Sequence, residues 1–241
     1  DLDIPVIVGG IHPSSVAPKE TLSYADCLVI GHGLPIFSDL LFDLEKKDLK
    51  KIYQGTELTL SDFEKIAVSS RKLVPELDWY FPTILASVGC PYHCSFCAIP
   101  RTLGYLRRPG EQIIEELSSI ETTEFTFVDD NLLGDKPEEA LELFKAIQKL
   151  KKKFRFFGNF DIGLIQHEAL IEEFVKAGGH SVFMGLESLE PNNLKLLDKL
   201  KQIPVPRNRT ITREDVEEFY HKAILKLQSY GITVFTGFIC G

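Results

Sequence analysis

The stretch Thr83-Ile84-Leu85-Ala86-Ser87-Val88-Gly89 runs directly into Cys90-Pro91-Tyr92-His93-Cys94-Ser95-Phe96-Cys97, an apolar run followed by three cysteines spaced C-x3-C-x2-C. A short apolar run closed by glycine reads as a buried strand, which places the cysteines in the loop at its carboxyl end. Thiolates are the usual protein ligands of iron-sulfur clusters, and a cubane has four irons. Three cysteines in one loop hold three irons and leave the fourth open to a ligand that is not protein. Zinc is a competing reading, with His93 as a fourth ligand. Cys90, His93, Cys94 and Cys97 crowd into eight residues, however, and lack the separated pairs typical of zinc modules. A disulfide between two of the cysteines is the weakest reading.

Working outward toward the C-terminus, helical and strand patterns alternate. A helix over 111–120 buries Ile113, Ile114, Leu117 and Ile120, and a strand follows at 124–128. Asp135 is the expected cap of a helix with Pro137 in its first turn, burying Leu141, Phe144, Ile147 and Leu150. A strand at 154–158, a helix at 167–177 ending on Gly178-Gly179, and a strand at 181–185 continue the series. A helix near 191–200, a Pro/Arg-rich insertion at 201–211, a helix capped by Thr212 and a strand at 232–239 complete it. The insertion is longer than a usual helix-helix connection. Five strands with intervening helices make an α/β chain of the (β/α) barrel type, with its closing strand or strands expected beyond Gly241.

Toward the N-terminus, the apolar run at 4–8 ends on Gly9-Gly10, and the run Cys27-Leu28-Val29-Ile30 ends on Gly31-His32-Gly33. A helix from Pro35 to about Leu49 is expected to put Ile36, Leu40, Leu41 and Leu44 on one face. This β-α-β-α pattern belongs to a parallel sheet of the Rossmann or flavodoxin-like kind, where ligands bind at the carboxyl ends of the strands. Residues 50–82 are broken repeatedly by Gly, Pro and Ser and read as a linker, with Trp79, Tyr80 and Phe81 as anchors. The expected division is therefore 1–49, a linker at 50–82, and 83–241.

The net charge is −8, and the basic residues are scattered apart from Lys151-Lys152-Lys153, so no surface for nucleic acid is indicated. No apolar stretch approaches the roughly 20 residues of a membrane span, and no signal peptide opens the chain. Five cysteines, three of them clustered, suit a reducing compartment, and a cytoplasmic location is expected. The only methionine is Met184 and the chain starts in mid-pattern, which reads as a piece of a longer protein cut at both ends.

Barrels of this type build their sites at the carboxyl ends of the strands. There the sequence places Asp129-Asp130-Asn131, Gly158-Asn159-Phe160-Asp161, Gly185-Leu186-Glu187-Ser188 and Gly237-Phe238-Ile239-Cys240-Gly241. Helix caps are the plain alternative for Asp and Ser at such positions. Cys27 and Cys240, in or beside apolar strands, are expected to be small buried residues.

The cysteine spacing, with Phe96 before the last cysteine, resembles the cluster motif of the radical S-adenosylmethionine (SAM) enzymes. The resemblance implies a [4Fe-4S] cluster on Cys90, Cys94 and Cys97, with SAM chelating the fourth iron and being cleaved reductively to a 5′-deoxyadenosyl radical. It further implies that Asp129 or Asp130 receives the SAM amino group, Glu187 with Ser188 meets the ribose, Gly237 to Gly241 lies beside adenine, and Asn159 also contacts SAM. Arg101, Arg107, Arg108, Lys199 and Arg213 are candidates for the cation facing the SAM carboxylate, each expected to be a surface charge otherwise.

Val8-Gly9-Gly10-Ile11-His12-Pro13 followed by Ala25-Asp26-Cys27-Leu28-Val29-Ile30-Gly31-His32-Gly33 resembles the second half of the cobalamin-binding domain found in one branch of that family. This implies that Gly9, Gly10, Gly31 and Gly33 line the pocket for the cobalamin tail. Gly31-His32-Gly33-Leu34 stands where the branch more usually has Gly-Glu-Gly-Glu, and His12 is not the cobalt-ligating histidine of some relatives. The implied activity is methyl transfer to an unreactive carbon or phosphorus centre of a small-molecule substrate, with a reductant such as flavodoxin or ferredoxin as partner. Cyclisation or oxidation without methyl transfer is the alternative reaction, and a non-catalytic iron-sulfur protein the alternative class.

Overall fold

The computed structural model describes residues 4–15, 18–65, 81–204 and 209–240. The chain forms two compact units, one of Asp1–Ala67 with Cys97–Leu106 and one of Val68–Phe96 with Arg107–Gly241. Trp79, Tyr80, Gly241 and residues 205–208 of the insertion lie outside the described residues.

The first unit contains β1 (Ile7–Val8), α1 (Ile11–Ser15), α2 (Pro18–Thr21), β2 (Cys27–Ile30), α3 (Phe37–Glu45), β3 (Ile52–Gln54), α4 (Leu60–Lys65) and α5 (Ile99–Thr102). Its sheet is parallel in the order β1-β2-β3, with Ile7 opposite Cys27 and Leu28 opposite Ile52. The small core holds Cys27, Val29, Leu40 and Tyr53. β3 falls inside the stretch that breaker residues assigned to a linker. Three residues with one buried side chain, Tyr53, are too short for alternation to register, and the Tyr53 hydroxyl secures them by donating to Asp43 Oδ2 at 2.7 Å. α3 is shorter than the expected 35–49: a 3-10 turn at Leu34–Ile36 precedes it, and the chain leaves the helix at Lys46, with Lys47 at φ +58°. Leu40 is its buried residue, while Leu41 is exposed.

The second unit opens with β4 (Thr83–Ile84) and β5 (Ser87–Val88), and β6 (Leu106–Arg107) marks where the chain re-enters it. It continues with α6 (Gly110–Ser119), β7 (Glu124–Phe127), α7 (Pro137–Gln148), β8 (Arg155–Asn159), α8 (Glu168–Lys176), β9 (Gly179–Glu187), α9 (Pro191–Leu196), α10 (Arg213–Ser229) and β10 (Thr233–Phe238). Five strands form a parallel sheet in the order β10-β9-β8-β7-β4, so each new strand is added beside the last, as in a (β/α) barrel. The helices bury one face each: Ile113 and Leu117 from α6, Leu143, Phe144 and Ile147 from α7, Leu170, Ile171 and Phe174 from α8.

Under those helices the sheet carries phenylalanines. Phe125 stacks on Phe156 at 4.9 Å, and Phe156 meets the edge of Phe174 at 5.2 Å. Such pairs contribute about 0.5–1.5 kcal/mol each beyond the area they bury. The α10 start carries a full capping box between Thr212 and Asp215, as the sequence indicated for Thr212. Several local expectations change. Ile114, Leu141 and Leu150 are only partly buried, and Leu150 lies past the end of α7. The α7 cap is Lys136, without a side-chain hydrogen bond, and Asp135 stands one residue outside it. Cys240 is exposed rather than buried, since it lies past the end of β10.

Candidate functional site

The stretch expected as one strand over 83–88 is split into β4 and β5, and the reason is a carboxylate. Asp129 is wholly buried. Its Oδ2 accepts the Ala86 N–H at 3.0 Å and its Oδ1 accepts the Ser87 hydroxyl at 2.6 Å, so a side chain replaces the ladder partner there. Burial lifts the Asp129 carboxyl to about 6, against the pull of those two donors and of Arg107. From the other side, the buried Arg108 guanidinium donates to the Leu85 carbonyl at 3.3 Å and pairs with the buried Glu116, while the Arg108 N–H meets the Ala86 carbonyl at 2.8 Å. The backbone that delivers the cysteine loop is therefore gripped on both sides.

Cys90, Cys94 and Cys97 are all partly exposed, as ligands of an added group must be. Tyr92, between the first two, hydrogen-bonds the Asp161 carboxylate, and burial followed by the Asp161 charge raises its pKa. Asp161 also accepts Asn131 Nδ2 at 2.9 Å and the Gly163 N–H at 2.7 Å. Ser95 donates its hydroxyl to the Leu196 carbonyl at 2.7 Å. The loop thus hangs on the ends of β8 and α9. Among the described residues no three His, Cys, Asp or Glu side chains converge on one metal ion. Thiolates bound to different irons of a cubane need no such convergence, and His93 is exposed.

The other strand-end residues divide into braces and open groups. Asp130 is exposed, and partial desolvation raises its pKa. Asn159 donates from Nδ2 to the Asp129 carbonyl at 2.8 Å. Ser188 Oγ accepts the Glu190 N–H at 3.1 Å and Asn193 Nδ2 at 3.4 Å, bracing the turn into α9. Gly237 pairs across the sheet with Gly185, one step before Glu187. On the same face, half-exposed Phe183 and Phe235 sit opposite each other in the register.

Of the candidate cations, Arg213 is exposed and bound to Glu190 and Glu217, and Arg101 is exposed. Arg107, Arg108 and Lys199 are not the surface charges expected. Arg107 donates to the Leu132 carbonyl at 3.2 Å, and Lys199 bonds Glu187 Oε1 at 2.9 Å. Lys199 was among the candidate cations, but neither its bond to Glu187 nor the Tyr92–Asp161 bond was visible in the sequence, because both join positions brought close only by the fold.

In the first unit, Gly9, Gly10, Gly31 and Gly33 all line one cavity of about 460 Å³, together with Ile7, Val29, Ile36, Phe37, Leu40 and Leu41. Gly31 turns the chain off β2 at φ +75°, a conformation that favours glycine, and its N–H donates to Ser14 Oγ at 2.9 Å. The absence of side chains at these positions leaves an apolar-walled space with accessible backbone, which suits a bulky organic ligand. His12 is exposed and outside this lining.

No helix among the described residues is long and apolar enough to cross a membrane. The chain is 26% identical over 247 residues to bacteriochlorophyllide d C-12(1)-methyltransferase of Chlorobaculum tepidum, covering 94% of this chain and 50% of that protein. It is 27% identical over 255 residues to hopanoid C-2 methylase of Rhodopseudomonas palustris, covering 100% of this chain and 45% of that one. The chain thus spans about half the length of the curated relatives it matches. In fold it matches the radical S-adenosylmethionine methyltransferase TsrM of Kitasatospora setae, solved with cobalamin and a [4Fe-4S] cluster bound, at TM-score 0.74 and 20% identity over 99% of this chain and 52% of that one. Residues 84–241, from β4 to the end, match the radical SAM superfamily, and the chain belongs to that family.

Proposed function

We propose that this chain combines a cobalamin-binding segment, residues 1–49 with β3 added to its sheet, and a radical SAM barrel over 83–241, in a cobalamin-dependent methyltransferase. The observation that carries the reading is the convergence of Gly9, Gly10, Gly31 and Gly33 on one cavity, in a chain whose first barrel strand leads into Cys90, Cys94 and Cys97. Relatives that methylate bacteriochlorophyllide and hopanoids support the reaction type. When bound, the [4Fe-4S] cluster and SAM supply a hydrogen-abstracting deoxyadenosyl radical, and methylcobalamin the methyl group.

The chain's own residues have distinct tasks. Cys90, Cys94 and Cys97 hold the cluster, in a loop fixed by Tyr92 and Ser95. Asp130, the open member of the acidic pair, receives the SAM amino group, while Asp129 shapes the strand beneath it. Glu187 accepts from the ribose, and the Gly237 end of β10 borders adenine. Asn159 and Ser188, each already engaged in bracing, support these contacts from the sides. Phe183 and Phe235 offer apolar contact to a small-molecule substrate with an unreactive carbon centre. The reductant is a flavodoxin or ferredoxin, and the location cytoplasmic.

The test is incubation of the anaerobically reconstituted full-length protein with methyl-labelled SAM and candidate polycyclic substrates. The reading expects 5′-deoxyadenosine together with label in the product. Deoxyadenosine without label transfer would replace methylation by cyclisation or oxidation, and no SAM cleavage would leave a non-catalytic cluster.

A further inference from the structure

Glu187 ends β9 in a left-handed backbone conformation, φ +66°, that a side-chain-bearing residue rarely adopts. Such strain persists only where the surroundings over-determine it, and here they do. The Leu186 carbonyl accepts the buried Tyr220 hydroxyl at 2.9 Å and the Ser188 N–H at 2.8 Å, and the Glu187 carbonyl accepts the Ile239 N–H at 3.0 Å. Lys199 Nζ donates to the Gly185 carbonyl at 2.8 Å and to Glu187 Oε1 at 2.9 Å. Both side chains are nearly enclosed, 11% exposed for Lys199 and 12% for Glu187. A Cβ at Gly185 would stand 2.2 Å from Glu187 Oε1 and 3.2 Å from Lys199 Nζ, so glycine there is what allows the carboxylate to fold back along the strand.

We propose that Lys199 is a positioning residue of the SAM site: by bridging the Gly185 carbonyl and Glu187 Oε1 it presets Glu187 to accept neutral hydroxyl donors. The proposal rests on the assignment of Glu187 to the ribose. A carboxylate already neutralised by an ammonium gains little from a second cation, yet its remaining lone pairs still take hydroxyl hydrogen bonds. Holding it in place beforehand removes the ordering penalty at the moment of binding. Lys199 acts through Glu187 and does not itself touch the ligand.

The experiment measures binding to the reconstituted full-length protein by anaerobic equilibrium dialysis. The probes are SAM, 5′-methylthioadenosine, which keeps adenine and ribose but lacks the amino-acid part, and the 2′,3′-dideoxy form of the latter. Wild type should favour methylthioadenosine over its dideoxy form. Lys199→Met should weaken both SAM and methylthioadenosine by about tenfold or more, the scale of one hydrogen bond to a charged group. It should also shrink the preference for the hydroxylated probe to about twofold or less, with iron content unchanged. Retained affinity and preference would overturn the proposal. So would a loss confined to SAM, which would put the lysine on the amino-acid part. A wild type indifferent to the ribose hydroxyls would instead overturn the Glu187 assignment. If Lys199→Met does not fold, Lys199→Gln carries the test. Its amide is shorter and uncharged and removes the ammonium bridge to Glu187, so an unchanged hydroxyl preference would contradict the proposal.

Discussion

Asp129→Asn tests the structural role of this carboxylate. Its carboxyl sits at about 6 in the folded protein against 3.8 for an unburied aspartate, a rise of about two units. At 1.36 kcal/mol per unit this is about 3 kcal/mol. The folded state holds the proton more tightly than the unfolded chain. The group's contribution to stability is therefore full below about pH 4 and is lost as pH rises through about 6. Asparagine cannot titrate, but its Oδ1 can accept the Ala86 N–H while its Nδ2 donates to Ser87 Oγ, so the two main bonds at Asp129 survive with the Ser87 direction reversed, and only the weaker contact with the Ser87 N–H is given up. The variant should match wild type near pH 4 and exceed it by up to about 3 kcal/mol near pH 7.5. Urea unfolding followed by circular dichroism at both pH values reads the difference directly. Parallel stability curves, or a variant that grows relatively weaker as pH rises, would refute the reasoning and show that Arg107 makes the buried charge favourable.

Arg108→Met should destabilise by about 3–5 kcal/mol, because Glu116 is left charged and buried, and Arg108→Met/Glu116→Leu should recover most of the loss in the same assay. Phe174→Ala, which removes a ring shared by Phe144, Phe156 and Phe160, should destabilise by about 3–5 kcal/mol. Gly33→Val keeps an ordinary backbone at φ −74° but points its side chain toward Val29 and the glycine-lined cavity. Cobalamin retained by the full-length protein after gel filtration should fall about tenfold or more, with the circular dichroism spectrum unchanged.

The barrel strands were legible because each carries a run of apolar residues closed by a polar or glycine end, as at Phe125 to Val128 or Val182 to Leu186. The loop chemistry of the cysteines was legible because ligand spacing within one loop is a local property. β3 escaped because three residues with one buried side chain carry no period, and the break between β4 and β5 because Asp129, 43 residues beyond Ala86, causes it. The acidic pair shows the limit most clearly. Asp129 and Asp130 are equivalent as letters, and only their alternation across the end of β7 turns one into the interior and leaves the other at the open edge. The buried bridge that Lys199 makes escaped for a related reason. A lysine after a short helix reads as a surface charge, and its burial depends on the gap that Gly185 leaves for it.

The most direct test of the central assignment is electron paramagnetic resonance of the reduced, anaerobically reconstituted full-length protein, with and without SAM, beside Cys94→Ala. The account predicts a four-iron signal in wild type that shifts when SAM is added, and the loss of that SAM-sensitive signal in Cys94→Ala. A four-iron signal indifferent to SAM, or bound zinc in place of iron, would contradict it.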